Sequence, residues 1–175
     1  MELWDIYDKN RNLTGRTAER ISEIGKDGFH LAVHICIFNS KNEMLIQQRQ
    51  PWKKRWPDMW DITVCGCAQA GETSEEAAER ETLEEIGYKI NLSDERPFFT
   101  INFKTGFDDW FFVEREIDIK DLTLQYDEVQ KVKWASKDEI LLLVKEGKFI
   151  NFWFTEHLFD IRKYRGGYRT ASNVK

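Results

Sequence analysis

The residues of this chain best suited to chemistry are three glutamates, Glu81, Glu84 and Glu85, spaced at i, i+3 and i+4. On a helix these positions are neighbours on one face, within an arc of about 100°. Like charges held so close repel by roughly 0.2–0.5 kcal/mol per pair. Residues 66–88 contain no lysine and one arginine, Arg80, to offset them. Because Mg²⁺ takes oxygen ligands and bridges to phosphates, the spacing predicts a divalent-cation site, with a solvated acidic face as the alternative.

The helix that must position these glutamates has two recognisable ends. Thr73 followed by Glu76 is a capping box, which predicts a helix beginning at about Ser74. Gly87 predicts its end, because glycine is common just past a helix C-terminus. The helical period then places four side chains on the inward face: Ala78, Thr82, Leu83 and Ile86.

The whole stretch 66–88 fits the pattern G-x5-E-x7-R-E-U-x-E-E-x-G-U, where U is a bulky apolar residue, with Thr82 as its one departure. This stretch resembles the Nudix box, the signature of enzymes that cleave diphosphates linked to another moiety. The resemblance implies an α/β/α sandwich in which a mixed β-sheet lies between helices. It also implies an enzyme that uses Mg²⁺ or Mn²⁺ and activated water to hydrolyse a diphosphate linkage in a nucleoside-diphosphate-type or related small molecule.

The same resemblance assigns roles to individual residues. Three catalytic side chains and one backbone carbonyl, the latter at the start of the loop before the helix, would hold the metal: Glu81, Glu84, Glu85 and Gly66. Arg80, which the resemblance also counts among the catalytic residues, would pair with Glu72 and hold this loop and the helix together. Glu128 lies where many Nudix hydrolases place a further glutamate outside the box, with a solvated loop acid as the alternative interpretation.

Residues 49–72, which read RQPWKKRWPDMWDITVCGCAQAGE, narrow the resemblance. They are similar to the Nudix branch that contains the isopentenyl-diphosphate isomerases. By that similarity Cys65 falls at the place of a catalytic cysteine, and His30 at that of a metal-ligand histidine. Arg49 and Lys53 match an arginine and a lysine that contact the diphosphate.

Three functions stay open on these residues. The full set of carboxylates favours hydrolysis, because hydrolysis needs an activated water and a metal at the phosphates. The isomerase alternative uses Cys65 and needs a further acid on the strand after the box, where Asp109 or Glu114 stands. Cys67 stands where the isomerases carry a second ligand histidine. The third alternative is a catalytically silent module that binds diphosphates.

A run of basic and aromatic residues follows Arg49. Basic side chains bind phosphate and indoles stack on bases, so this run is suited to gripping a nucleotide. The alternative is a surface loop that its tryptophans anchor to the core. The run consists of Trp52, Lys53, Lys54, Arg55, Trp56 and Trp60.

Length and composition bound the remaining possibilities. The 175 residues suit one domain at 1–165, with a tail at 166–175 that lacks periodicity. A net charge of −5 argues against nucleic-acid polymers as partners, and the chain has no apolar run long enough to span a membrane. Three cysteines are an odd number that gives no disulfide framework and favours the cytoplasm. A small-molecule diphosphate is the expected partner, and a homodimer is one expected assembly, because many Nudix relatives are dimers.

The remaining pattern predicts the elements around the box. Two short strands surround the turn DKNRN, and HLAVHICIF is a central strand, since both of its faces are largely apolar. EMLIQQR, PFFTINF, DWFFVEREI and VQKVKWA are further strand candidates. Ser136 and Glu139 open a second helix that Gly147 ends. Apolar residues at helical spacing predict a last helix over 149–164, with His157 on its apolar stripe.

Overall fold

The computed structural model describes residues 2–20 and 24–164. Within them the strands are β1 Leu3–Tyr7, β2 Leu13–Glu19, β3 His30–Phe38, β4 Met44–Arg49, β5 Trp60–Asp61, β6 Val64–Cys67, β7 Phe99–Phe103, β8 Gly106–Glu114 and β9 Val129–Ala135. The α-helices are α1 Ser74–Ile86, α2 Lys137–Lys145 and α3 Leu158–Ile161. The tail predicted at 166–175 lies outside the described residues.

The main sheet is mixed and has β3 at its centre. Its strands follow the order β5-β4-β3-β8-β7, with β6 also paired to β3 and β9 to β4. The β3–β8 pair is parallel, whereas the other pairs of this sheet are antiparallel. As the apolar pattern of HLAVHICIF predicts, both faces of β3 are buried.

Two apolar clusters lie on opposite faces of this sheet. On one face Val33 and Ile35 pack with Ala78 of α1. On the other face Phe38 packs with residues of α2 and α3, including Ile140 and Phe159. Helices therefore cover the sheet on both sides, which confirms the predicted α/β/α sandwich.

Helix α1 has the predicted ends but not the whole predicted inward face. Thr73 and Glu76 form the capping box, and Gly87 ends the helix in the left-handed conformation with φ 67°. Leu83, however, is exposed, so its predicted inward position was wrong. At 100° per residue the buried arc is centred between Ala78 and Glu85, and Leu83 lies on the opposite side.

The segment after α2 is not the single long helix that its periodicity predicts. Phe149 forms a bridge beside Trp60, and the backbone on either side of it is hydrogen-bonded to Trp60, so this part is extended. Helical structure is limited to α3 and one 3-10 turn on each side of it. His157 is exposed and pairs with Glu156 rather than lying on an apolar stripe. Pairing to a sheet edge overrode the local periodicity here.

The hairpin β1–β2 forms a separate two-stranded sheet beside the main one. It is attached through Trp4, which stacks on His30 at 4.5 Å between ring centroids. A backbone hydrogen bond of 2.8 Å from Ala70 to Leu3 ties the hairpin to the loop before α1. None of the helices that the structure describes is long and apolar enough to cross a membrane.

Candidate functional site

An open cleft with a volume of about 420 Å³ lies between α1, β6 and the loops that follow β4 and precede β9. Most of the predicted site residues line it: Arg49, Lys53, Cys65, Gly66, Arg80, Glu81, Glu84, Glu85 and Glu128. Glu72 and His30 are not part of its lining. The fold thus gathers residues from positions 49 to 128 around one opening.

Glu81 is buried against the backbone of β6. A Cβ atom on Gly66 would lie 2.1 Å from the Cδ atom of Glu81, so a larger residue there would displace the Glu81 carboxylate. Gly66 itself lies within β6 and pairs with Val33, instead of beginning the loop as predicted. Burial raises the pKa of Glu81, and the charge of Arg80 opposes that rise.

Arg80 joins the loop before α1 to the helix. Its Nε atom donates to Glu72 at 2.6 Å, and its Nη2 atom donates to the carbonyl oxygen of Cys67 at 3.0 Å. Its Nη1 atom lies 3.0 Å from carboxylate oxygens of both Glu81 and Glu84. The predicted pairing of Arg80 with Glu72 is therefore present, and the same guanidinium also contacts two of the three box glutamates.

Glu85 is the most deeply buried of the three glutamates. It accepts a hydrogen bond of 2.7 Å from Nε2 of Gln47 on β4. Burial raises the pKa of Glu85 to about 8; the Gln47 hydrogen bond lowers it in part, and the charges of Glu81 and Glu128 raise it further. A buried carboxylate beside like charges is costly, and a bound cation relieves that cost.

These residues fit a divalent cation by their chemistry but do not form a preassembled coordination shell. Within residues 2–20 and 24–164, no three His, Cys, Asp or Glu side chains lie close enough together to hold a metal ion. Glu81 and Glu84 contact Arg80, whereas Glu85 contacts Gln47. Their oxygens are nevertheless the donors that Mg²⁺ and Mn²⁺ prefer, and two of the three carboxylates are buried.

Basic side chains line the same cleft. Arg49, at the end of β4, donates from Nε to the carbonyl oxygen of Arg55 at 3.4 Å. Lys53 pairs with Glu128 at 2.5 Å, so these two predicted site residues contact each other. Carboxylates and basic side chains in one cleft match the two needs of a diphosphate, which are a cation and direct phosphate contacts.

Cys65 is a partly buried thiol that lines the cleft. Its Sγ atom lies 3.7 Å from a carboxylate oxygen of Asp61. Burial raises the pKa of this thiol well above its ordinary value, and the charge of Asp61 adds to the rise. A thiol of this kind is a poor nucleophile, because the thiolate is the reactive form.

The histidines and strand acids considered from the sequence have other partners. His30 packs between the rings of Trp4 and Phe103, and burial lowers its pKa. Asp109 is buried outside the cleft and binds Arg11, while Glu114 pairs with Arg162. Neither acid lines the cleft, so neither stands where the isomerase alternative needs one.

Several cleft residues were missed from the sequence. Glu2 and Arg20, at the two ends of the first hairpin, pair with each other and line the cleft. Both residues lie far from the box in the sequence, so no motif indicated that they belong to the cleft. Gln47, which is buried behind the cleft and donates to Glu85, was also missed, although its place two residues before Arg49 on the same face of β4 was a signal. His34 also lines the cleft, where it pairs with Asp108.

The α/β/α sandwich with this acidic cleft beside a capped helix defines the class of protein. The Nudix domain family model matches residues 28–158, which is most of the chain. The chain belongs to the Nudix family and is a hydrolase of the Nudix type.

Individual relatives agree with this assignment. An uncharacterized Nudix hydrolase of Listeria monocytogenes is 43% identical over 162 residues, covering 93% of this chain and 96% of its own. An isopentenyl-diphosphate Delta-isomerase of Pectobacterium atrosepticum is 30% identical over 142 residues, covering 77% of this chain and 76% of its own. The chain is thus also similar to the isomerases, but more distantly.

The fold has solved counterparts. The crystal structure of DR0079 from Deinococcus radiodurans superposes with a TM-score of 0.72 over 96% of this chain and 100% of its own, at 20% identity. At that identity the match supports the fold alone, and it agrees with the mixed sheet between helical layers described above.

Proposed function

We propose that this protein hydrolyses a diphosphate linkage in a nucleoside-diphosphate-type or related small molecule, with Mg²⁺ or Mn²⁺ as cofactor. The observation that carries the proposal is that buried carboxylates and cationic side chains line one cleft. Glu81 and Glu85 supply the buried carboxylates, and Arg49 and Lys53 supply cations.

Each side chain would have a distinct task. Glu81, Glu84 and Glu85, with the carbonyl of Gly66, would hold the cation. When bound, such an ion neutralises phosphate charge and lowers the pKa of a water molecule, which makes water a competent nucleophile at phosphorus.

The cationic residues would bind and position. Arg49 and Lys53 would donate to phosphate oxygens, with Lys53 exchanging its contact with Glu128 for a contact with substrate. Arg80 would act as a positioning residue, because it ties Glu72 in the loop to α1.

The test is release of phosphate or nucleotide from a panel of diphosphates with Mg²⁺ or Mn²⁺, comparing wild type with Glu84→Gln. We expect turnover in the wild type and a loss of several kcal/mol of transition-state stabilisation in the variant. Glu75→Gln is the matched control, because Glu75 lies on the same helix but outside the cleft lining. Full activity in Glu84→Gln and in Glu85→Gln would contradict the mechanism.

Isomerisation is a second candidate, and the position of Cys65 in the cleft lining is the observation that favours it. It predicts that the wild type converts isopentenyl diphosphate to its allylic isomer and that Cys65→Ala abolishes the conversion. No conversion by the wild type would end this candidate. A silent binding module would instead show diphosphate affinity without turnover in the presence of metal.

The cytoplasm is the location we propose, and the free thiols of Cys36, Cys65 and Cys67 are consistent with a reducing environment. A single domain at 1–165 and a homodimer stay predictions. Sedimentation of the purified protein measures the assembly directly.

A further inference from the structure

Two β-turns stand at the mouth of the cleft. The first is closed by a 3.2 Å hydrogen bond from the Lys53 amide to the Gln50 carbonyl. The second is closed by a 3.0 Å hydrogen bond from the Glu128 amide to the Gln125 carbonyl. Lys53, Gln125 and Glu128 all line the cleft. Both turns are therefore next to the cleft, although their central residues are not part of its lining.

An aromatic residue occupies a central position of each turn. Trp52 lies in the first and Tyr126 in the second, and their ring centroids are 5.3 Å apart. Although the rings contact each other, Trp52 is 53% exposed and Tyr126 is 73% exposed. Two large rings are thus kept together in solvent beside the cleft, with surface left for a third ring.

The turns that carry these rings are bound firmly to each other. The Gln50 amide donates to the carbonyl of Glu128 at 3.1 Å, and its side-chain Nε2 donates to the carbonyl of Tyr126 at 2.7 Å. Gln50 is buried, and Lys53 pairs with Glu128 across the same junction. A ligand ring that stacks here would order little additional chain, which keeps the cost of binding low.

We propose that Trp52 and Tyr126 form a stacking platform for a planar aromatic group joined to the diphosphate. This inference rests on the proposed function and narrows its substrate class to nucleoside-diphosphate-type compounds. Lys53 lines the cleft and closes the turn that carries Trp52, so a phosphate held by Lys53 would lie next to that turn. Every base has a π-face that stacks on an aromatic side chain.

The lining of the cleft argues against a prenyl chain as the attached group. A prenyl chain gains affinity by burial in an apolar trough. The cleft is instead lined mainly by charged side chains, with Glu81, Glu84, Arg49 and Arg80 among them. A base tolerates such surroundings, because it combines a stacking face with polar edges.

The test compares two diphosphates that differ in the attached group, ADP and isopentenyl diphosphate, in the full-length protein with Mg²⁺. In Trp52→Leu and Tyr126→Leu we expect the KM for ADP to rise about tenfold with kcat little changed. Constants for isopentenyl diphosphate should stay the same, and Trp52→Phe should restore part of the ADP affinity. Trp153→Leu is the matched control, because Trp153 is 81% exposed and neither neighbour lines the cleft.

Failure of the platform and failure of the proposed function give different results. If ADP is cleaved but Trp52→Leu matches the wild type, or both substrates weaken equally, the platform is wrong and hydrolysis stands. If the wild type cleaves no diphosphate, the proposed hydrolysis is wrong. The platform is then tested by calorimetry, which compares the affinity of the protein for ADP with its affinity for inorganic pyrophosphate. Tighter binding of ADP that Trp52→Leu removes supports it; equal binding of the two probes overturns it.

Discussion

Two buried carboxylates, one packed at each end of α1, have opposite surroundings. Asp109, next to the N-terminal end, accepts from Arg11 with both of its oxygens. It also accepts at 2.6 Å from the hydroxyl groups of Ser74 and Thr100. The side-chain carboxylate of Glu85, near the C-terminal end, accepts one hydrogen bond, from Gln47, within the residues that the structure describes.

The difference separates a structural acid from one suited to binding a cation. Asp109 has a counter-ion and enough donors, so its burial is compensated. Glu85 has a neutral donor and acidic neighbours, and burial raises its pKa to about 8. A carboxylate buried with too few donors is functionally informative, because its cost is recovered only when a cation or proton arrives.

The largest effect is expected for Glu85→Gln. Loss of this carboxylate should lower kcat/KM for diphosphate hydrolysis about 10³-fold, or about 4 kcal/mol, if Glu85 holds the cation. The melting temperature of the metal-free protein should stay the same or rise, because the amide needs no counter-ion. Steady-state kinetics and thermal unfolding measure both. Unchanged kinetic constants with a large loss of stability would show that Glu85 has a structural role, like that of Asp109.

Asp109→Ala should show the reverse pattern. Removing one partner of a buried ion pair costs about 3 kcal/mol or more, so urea denaturation should report a large loss in the free energy of unfolding. Activity of the folded fraction should persist, because Asp109 does not line the cleft. Asp94→Ala, at an exposed aspartate, is the control. A loss of activity in the folded fraction of Asp109→Ala would contradict the purely structural role of Asp109.

The contribution of Glu85 to the stability of the metal-free protein should fall as pH rises from about 4.5 to about 8. The pKa of Glu85 is raised from 4.5 to about 8 on folding, so in this window the folded state keeps a proton that the unfolded state releases. The loss for this one proton is at most about 1.4 kcal/mol per pH unit. Urea denaturation at several pH values, compared with Glu85→Gln, measures it. The same slope in both proteins would contradict the assignment.

The smallest expected effect is that of Ser74→Ala. Ser74 donates one of several hydrogen bonds to Asp109, so its loss should cost about 1 kcal/mol of stability. Kinetic constants should not change, since the cap at Thr73 still fixes the start of α1. Urea denaturation of Ser74→Ala, compared with that of Asp109→Ala, measures how much of the stabilisation by Asp109 depends on this one hydrogen bond. An effect as large as that of Asp109→Ala would show that Ser74 dominates it.

Local signals predicted α1 and its glutamates well. The capping box at Thr73 and the glycine at position 87 act over one turn of chain, so the sequence contains all that they need. The prediction failed where distant parts of the chain decide. Leu83 is exposed whereas Glu85 is buried, and Phe149 pairs with Trp60 instead of lying in a helix. Burial and edge pairing depend on partners that periodicity does not identify.

The sequence by itself determined the family, the capped helix and the three glutamates on it, because motif spacing and helix caps are local properties. Only the tertiary structure decided that Glu85 is buried with Gln47 while Glu84 remains exposed. It also brought Trp52 against Tyr126 and Lys53 against Glu128. These contacts join residues more than 70 positions apart, and the folding of the sheet alone brings them together.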